Sequence, residues 1–197
     1  MPGPSLIGLT GGIAAGKSEV LRILGELGAE VISTDAVVHE LLDGDEAQAL
    51  LTERWGDRVA PAGAIDRAQV AAIVFEDPAE LAWLESVLHP LVGRRVAEWR
   101  RDLRDDARVA VVEVPLLFEG TMAGIFDATI AVVADDDERA RRAQVRGTGE
   151  LEARSGRQLS QAEKAERATH VVVNDGTVAE LEGDLRELYP ELEAAGG

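Results

Sequence analysis

Gly11-Gly12-Ile13-Ala14-Ala15-Gly16-Lys17-Ser18 is the stretch on which the reading of this chain turns. It fits G-x-x-x-x-G-K-[ST] in full. Ahead of it runs Leu6-Ile7-Gly8-Leu9-Thr10, a short apolar segment with the length and flanks of a buried strand. After it, Val20, Leu21, Ile23, Leu24 and Leu27 recur at helical spacing, and Gly28 supplies a C-terminal stop. A glycine loop between a strand and a helix brings backbone N–H groups and the helix N-terminus to one point. That point binds a multiply charged phosphate. Lys17 can reach the β- and γ-phosphates, and Ser18 offers a hydroxyl to Mg²⁺.

Working outward, Glu30-Val31-Ile32-Ser33 reads as a second strand, so the unit is β-α-β and the sheet is expected to be parallel. Residues 36–106 carry helical patterns at 36–42, 46–55, 66–76 and 79–105. They read as a helical insertion between strands. Val109–Val114 and Ala128–Val133 are the next strands, and residues 136–168 are again helical and rich in charge. Val171–Val173 is a last short strand, followed by a helix over 177–188 and a loose tail over 189–197. The chain reads as one domain with core segments 1–35, 107–135 and 169–190.

The 197 residues include 37 acidic and 20 basic side chains, for a net charge of −17. Such a chain is repelled by nucleic acid and anionic membrane, so neither is an expected partner. An anionic ligand therefore needs a locally positive pocket. There is no cysteine, which excludes disulfides, thiolate metal sites and thiol catalysis. The N-terminus lacks the pattern of a signal peptide, and no apolar run is long enough to span a bilayer. The expectation is a soluble intracellular protein. Lysine occurs only at 17 and 164.

Other nucleotide and hydrolase classes fall away. No glycine follows an aspartate at the spacing of a GTPase switch, and Asn-Lys-x-Asp is absent. So are G-x-G-x-x-G and G-x-S-x-G, and His39-Glu40 lacks the second histidine of a zinc protease. A small-molecule kinase remains, with a nucleotide-dependent regulator as a rival from another class. Asp35 follows the second strand at the sheet edge where ligands bind. It can take the proton of an attacking hydroxyl, or cap the helix 36–42. Both readings stand. Glu113, at the end of the third strand, could orient Mg²⁺ through water or be an ordinary polar residue. Arg139, Arg141, Arg142, Arg146, Arg154 and Arg157 form one basic cluster, with Arg142 and Arg146 on one helical face. A second cluster, over 94–108 and including Arg104, reads as a solvated face. His89 precedes Pro90 and is expected to mark a break between two helices, where a structural role is favoured over a pocket.

Taken together, Leu9-Thr10-Gly11-Gly12-Ile13, Gly16-Lys17-Ser18, Asp35, Leu88-His89-Pro90, Pro115-Leu116-Leu117-Phe118-Glu119 and Asn174-x-Gly176 resemble the dephospho-coenzyme A kinases over nearly the whole chain. The resemblance implies an α/β, three-layer P-loop kinase fold of the nucleoside monophosphate kinase type, with a substrate region over 36–106 and a lid over 136–168. It implies transfer of a phosphoryl group from ATP, with Mg²⁺, to the ribose 3′-hydroxyl of dephospho-coenzyme A, in the cytoplasm, by a monomer or small homo-oligomer. By the same likeness Lys17, Asp35 and Arg142 are catalytic. ATP is held by Gly12, Ile13, Ala14, Ala15, Gly16, Lys17, Ser18, Glu19, Arg142, Arg146, Asn174 and Gly176. The acceptor is held by Thr10, Asp35, Arg67, His89, Pro115 and Leu116, and the metal by Ser18 and, through water, Glu113. Arg154 and Gln158 look like an Arg-x-x-x-Gln element of the lid. The chain also departs from the pattern. Ala14-Ala15 stand where glycine, then serine or glycine, is common, and alanine at 14 calls for a negative φ. Ser33 replaces a frequent aspartate, and the lid is short.

Overall fold

The computed structural model describes residues 3–61, 63–120, 122–146 and 158–196. The chain divides into two compact units, residues 1–33 with 103–197, and residues 34–102. In the first unit, β1 (Ser5–Gly11), β2 (Glu30–Ser33), β3 (Val109–Glu113), β4 (Ala128–Val133) and β5 (His170–Val173) form one parallel sheet in the order β2-β3-β1-β4-β5. The register pairs Leu9 with Glu113, Ser33 with Glu113, Gly11 with Val132 and Val133 with Val173. All five C-terminal ends therefore lie along one edge.

Alternation along β1 sorts its residues between two faces. Ile7 and Leu9 join Val111, Ile130, Val132 and Val172 in a core closed by α1 (Lys17–Glu26) and the C-terminal helix, here α8 (Val178–Ala194). On the other face Gly8 lies under Leu117 and Phe126. A Cβ there would stand 2.9 Å from the Phe126 ring, so any side chain would have to displace that ring. Thr10, on the same face, meets Lys164 of α7 (Gln161–Arg167). This is the layered P-loop kinase fold that the β-α-β reading and the resemblance predict.

The second unit holds α2 (Thr34–Asp43), α3 (Asp45–Trp55), α4 (Arg67–Glu76) and α5 (Pro78–Arg101). Leu42, Leu51, Val59, Ile73, Leu84, Leu88 and Leu91 form its core. Asp66 and Asp77 cap α4 and α5 with their carboxylates, and Pro78 opens α5 where its missing N–H costs nothing. No helix among the described residues is long and apolar enough to cross a membrane.

The structure corrects several expectations. There is no break at His89-Pro90, because α5 runs through it. Leu84, Leu88 and Leu91 are buried on one face before and after the proline, while His89 and Pro90 are exposed. The carbonyl that Pro90 leaves without a donor is that of Ser86, an exposed residue that water can reach. Helix α5 also stops at Arg101, so Arg104 is not on it. The expected loose tail is helical to Ala194, with exposed Pro190 inside α8. Burying Leu192 contributes about 1.5–3 kcal/mol. That is the order of the roughly 3 kcal/mol cost of an interior proline, and Leu188, Tyr189 and Ala195 pack beside it. The Gly196 N–H then donates to Ser5 Oγ at 2.9 Å, tying the end of the chain to β1.

Candidate active site

The eight-residue loop spans the end of β1 and the start of α1. Its Gly12 N–H donates to the Val132 carbonyl at 3.1 Å, which ties the loop's entry to β4. Gly16 sits at the helix N-cap with φ 99°, and no side chain among the described residues caps α1. The N-terminus of α1 thus lacks a side-chain cap, the arrangement that suits an anion. Lys17 Nζ turns back over the loop, donating to the carbonyls of Gly12 at 3.2 Å and Gly11 at 3.5 Å. Glu19, in the same first turn, pairs with Arg22 at 2.6 Å, and that hydrogen bond holds its carboxyl below the usual range.

Ala14 overturns an expectation. Its φ is +56°, in the left-handed region rather than the negative one. The loop's path toward a common anion point imposes this conformation. An L-residue pays roughly 1–2 kcal/mol for it, which explains why glycine suits the position.

Helix α6 (Asp136–Arg146) lays its basic face on the outside of the loop. Arg139 Nε donates to the Ile13 carbonyl at 2.8 Å. Arg142 donates to the Asn174 carbonyl at 3.1 Å and the Ala15 carbonyl at 3.5 Å. Arg142 is therefore docked against the loop. Arg142 Nε also donates to Glu138 at 2.9 Å. The Arg141 guanidinium, hydrogen-bonded to the same carboxylate, is the main reason that Glu138 is held below the usual carboxylate range, with Arg142 adding to it. Two guanidinium groups and Lys17 beside one loop supply the local positive field that so acidic a chain requires. Arg139 and Arg142 are three apart, on one face. That spacing was the signal available for Arg139, which the sequence reading did not place at the site. Arg146 ends α6, and its side chain, like Arg154 and Arg157, lies outside the described residues.

Asn174, just past β5, is buried, and its Nδ2 donates to the Ala15 carbonyl at 2.8 Å. Gly176 is farther along the same turn, close to Glu180. An open cleft of about 410 Å³ adjoins the loop, lined by Gly12, Ile13, Arg139, Gln158, Leu159 and Gln161 among others. Gln161 fixes one wall by exchanging two hydrogen bonds with Ala134, at 2.8 and 3.1 Å. Gln158 was expected here; Gln161 was not, since an isolated glutamine carries no signal.

Of the expected acceptor residues, Thr10 and Pro115 are joined directly. The threonine hydroxyl donates to the Pro115 carbonyl at 3.1 Å, and Leu116 beside it is exposed. Glu113 is buried at the end of β3, in register with Leu9, two residues ahead of Gly11. Asp35, Arg67 and His89 belong to the helical unit. Asp35 stands in the first turn of α2, one residue beyond the helix start, and is exposed. The cap position is Ser33, so the capping reading of Asp35 does not hold. Arg67 pairs with Asp43 at 2.5 Å and donates to the His39 carbonyl at 3.3 Å. Arg104, expected on a solvated helix face, instead bridges Glu30 and the Gly28 carbonyl, the latter at 3.1 Å.

Comparison with known proteins assigns the family. The family model described as dephospho-CoA kinase matches residues 5–180. The dephospho-CoA kinase of Protochlamydia amoebophila is 38% identical over 193 residues, covering 94% of this chain and 95% of that protein. That of Deinococcus radiodurans is 40% identical over 195 residues, covering 96% and 93%. A solved structure from Thermus thermophilus superposes with a TM-score of 0.83 at 35% identity, covering 96% of this chain and 98% of that one. With a complete phosphate loop on a parallel sheet and this match along almost its whole length, the chain belongs to the dephospho-CoA kinase family.

Proposed function

We propose that this kinase transfers the γ-phosphoryl group of ATP to the ribose 3′-hydroxyl of dephospho-coenzyme A, the last step of coenzyme A synthesis. The observation that carries the reading is the uncapped N-terminus of α1 under a complete phosphate loop, in a chain that matches the family from residue 5 to residue 180. The hydroxyl oxygen attacks the γ-phosphorus, the bond from that phosphorus to the β–γ bridging oxygen breaks, and ADP leaves. The hydroxyl proton passes to the Asp35 carboxylate. The loop N–H groups, Lys17 and Arg142 meet the charge spread over the transferring group.

Ser18, in the first turn of α1, and the buried Glu113 carboxylate are hard oxygen donors suited to Mg²⁺, Glu113 through water. No cluster of three ligating side chains occurs among the described residues. When bound, Mg²⁺ neutralises phosphate charge.

The core segments 1–35, 107–135 and 169–190 carry the nucleotide in this reading. Residues 36–106 carry the acceptor, with Arg67 and His89, and residues 136–168 act as the lid. Incubation with ATP and dephospho-coenzyme A, with the product identified by mass and phosphorus NMR, tests it. Coenzyme A phosphorylated at the 3′ position is the expected product. No acceptor-dependent ADP release with dephospho-coenzyme A, together with turnover of another alcohol, would replace this reading.

A further inference from the structure

Lys164 is one of two lysines in the chain, and it is wholly buried, at 0% exposure. A primary ammonium removed from water must have its protons engaged. Its Nζ donates to the Pro115 carbonyl at 2.5 Å and to Thr10 Oγ1 at 3.5 Å, and lies 3.1 Å from Glu119 Oε1. Glu119 Oε1 also accepts from the Leu159 N–H at 2.9 Å. The other carboxylate oxygen, Oε2, is buried and has no hydrogen-bond partner among the described residues. The compensation of that carboxylate therefore runs through Oε1. The Thr10 hydroxyl donates to the same Pro115 carbonyl, so one carbonyl oxygen receives both the ammonium and the hydroxyl.

Four parts of the chain meet at this ion pair: the end of β1, the turn after β3, the backbone entering α7, and α7 itself. A buried ion pair is seldom more stabilising than apolar side chains of equal volume. Apolar groups would fill the space but could not orient a carbonyl or fix a turn by direction. Thr10 precedes the phosphate loop by one residue. Whatever holds Pro115 to Thr10 also sets the spacing between the Pro115–Glu119 turn and that loop.

We propose that Lys164 is a positioning residue for the acceptor: through Pro115 and Glu119 it places the Pro115–Glu119 turn at a set distance from the phosphate loop. This rests on the reading above, in which Thr10, Pro115 and Leu116 face the acceptor. Neither Lys164 nor Glu119 contacts the reacting groups in this account. Misplacement of a bound group by about 1 Å costs about 10²-fold in rate, which sets the size of the effect.

The test uses Lys164→Met, the neutral double variant Lys164→Met with Glu119→Gln, and Leu116→Ala as a probe of the turn itself. Acceptor kcat and KM, ATP affinity by direct binding, and Tm are measured on each. The double variant leaves no uncompensated charge and keeps the volume. It is expected to fold, to bind ATP within about twofold of the parent, and to lose about 10²-fold in kcat/KM for dephospho-coenzyme A. Parent-like kcat/KM in the folded double variant overturns the proposal. So does an equal loss in ATP affinity, which would mark a general structural role. Failure of both lysine variants to fold would assign the pair to core stability and overturn it as well. If Leu116→Ala leaves acceptor KM unmoved, the acceptor reading of the turn fails. If Leu116→Ala raises acceptor KM while the double variant behaves as the parent, only the role of Lys164 fails.

Discussion

The side-chain amide of Asn174 donates to the carbonyl of Ala15 across 2.8 Å, fastening the end of β5 to the middle of the phosphate loop. The contact is close on both sides. A Cβ on Gly16, whose φ is 99°, would stand 2.1 Å from the same amide nitrogen. Arg142 reaches the Asn174 carbonyl at 3.1 Å and the Ala15 carbonyl at 3.5 Å. The loop is thus braced by protein groups, which reduces the ordering that nucleotide binding must supply.

Asn174→Ala is expected to weaken both stability and nucleotide affinity. It leaves the Ala15 carbonyl without its shorter donor, a loss of about 1–3 kcal/mol for a buried group. Denaturant melts and isothermal titration with ATP would show both effects. A variant with unchanged ATP affinity would show that this brace plays no part in shaping the loop.

Ala14→Gly should stabilise the protein. Alanine at φ +56° is strained, and relief of that strain exceeds the added chain entropy of glycine, leaving a net gain of about 0.5–1 kcal/mol. Paired thermal melts measure it. A lower Tm in the glycine variant would mean that packing of the buried methyl group outweighs the strain.

For Asp35→Asn, turnover should fall about 10²–10⁴-fold, the range for a positioned general base. Stability should change little, because Asp35 is exposed and the cap position of α2 is Ser33. ATP affinity should stay near that of the parent. Retained turnover in a stable variant would remove Asp35 from the chemistry.

Arg142→Ala should lower kcat more than it weakens ground-state ATP binding, since charge on the transferring group grows in the transition state. The matched control is Arg101→Ala, exposed on the last turn of α5, which should act as an ordinary surface change. Arg104 does not serve as that control, because it bridges Glu30 and Gly28. Steady-state kinetics on the pair decide the matter: comparable losses in the two variants would place the catalytic arginine elsewhere.

Acid should destabilise the fold through its capping boxes. Hydrogen bonds from the Thr177 backbone and hydroxyl hold Glu180 below its usual range, and those from the Ser160 hydroxyl and backbone do the same for Glu163. A carboxyl depressed in the folded state contributes stability above its unfolded pKa, about 4.3, and loses it as pH falls through the folded value. Denaturation midpoints between pH 7 and pH 3 should therefore decline, and Glu180→Gln should show a shallower decline. An identical pH slope in that variant would exclude Glu180 as a contributor.

The elements around the phosphate loop were legible in the linear chain because their causes are local. Strand β1, the glycine loop, α1 and β2 each follow from period, glycine placement and flanking residues, and their lengths leave little choice of connection. The apolar runs of β3 and β4 are legible for the same reason. Lys17 and Ser18 were found because phosphate binding needs those types at that spacing. Pro90, and the terminal position of residues 189–197, misled because a local preference competes there with contacts made far along the chain. Leu84, Leu88 and Leu91 hold α5 together, and Leu181, Leu185 and Leu192 hold α8, each set anchored in a core of distant residues. The left-handed Ala14, the brace from Asn174 and the burial of Lys164 were likewise invisible. Pairing of strands in the order β2-β3-β1-β4-β5 brings Asn174 to Ala15 and Lys164 to Thr10 across 159 and 154 residues. No window of sequence spans such separations. Only closing the sheet and burying both of its faces puts those groups within hydrogen-bond reach.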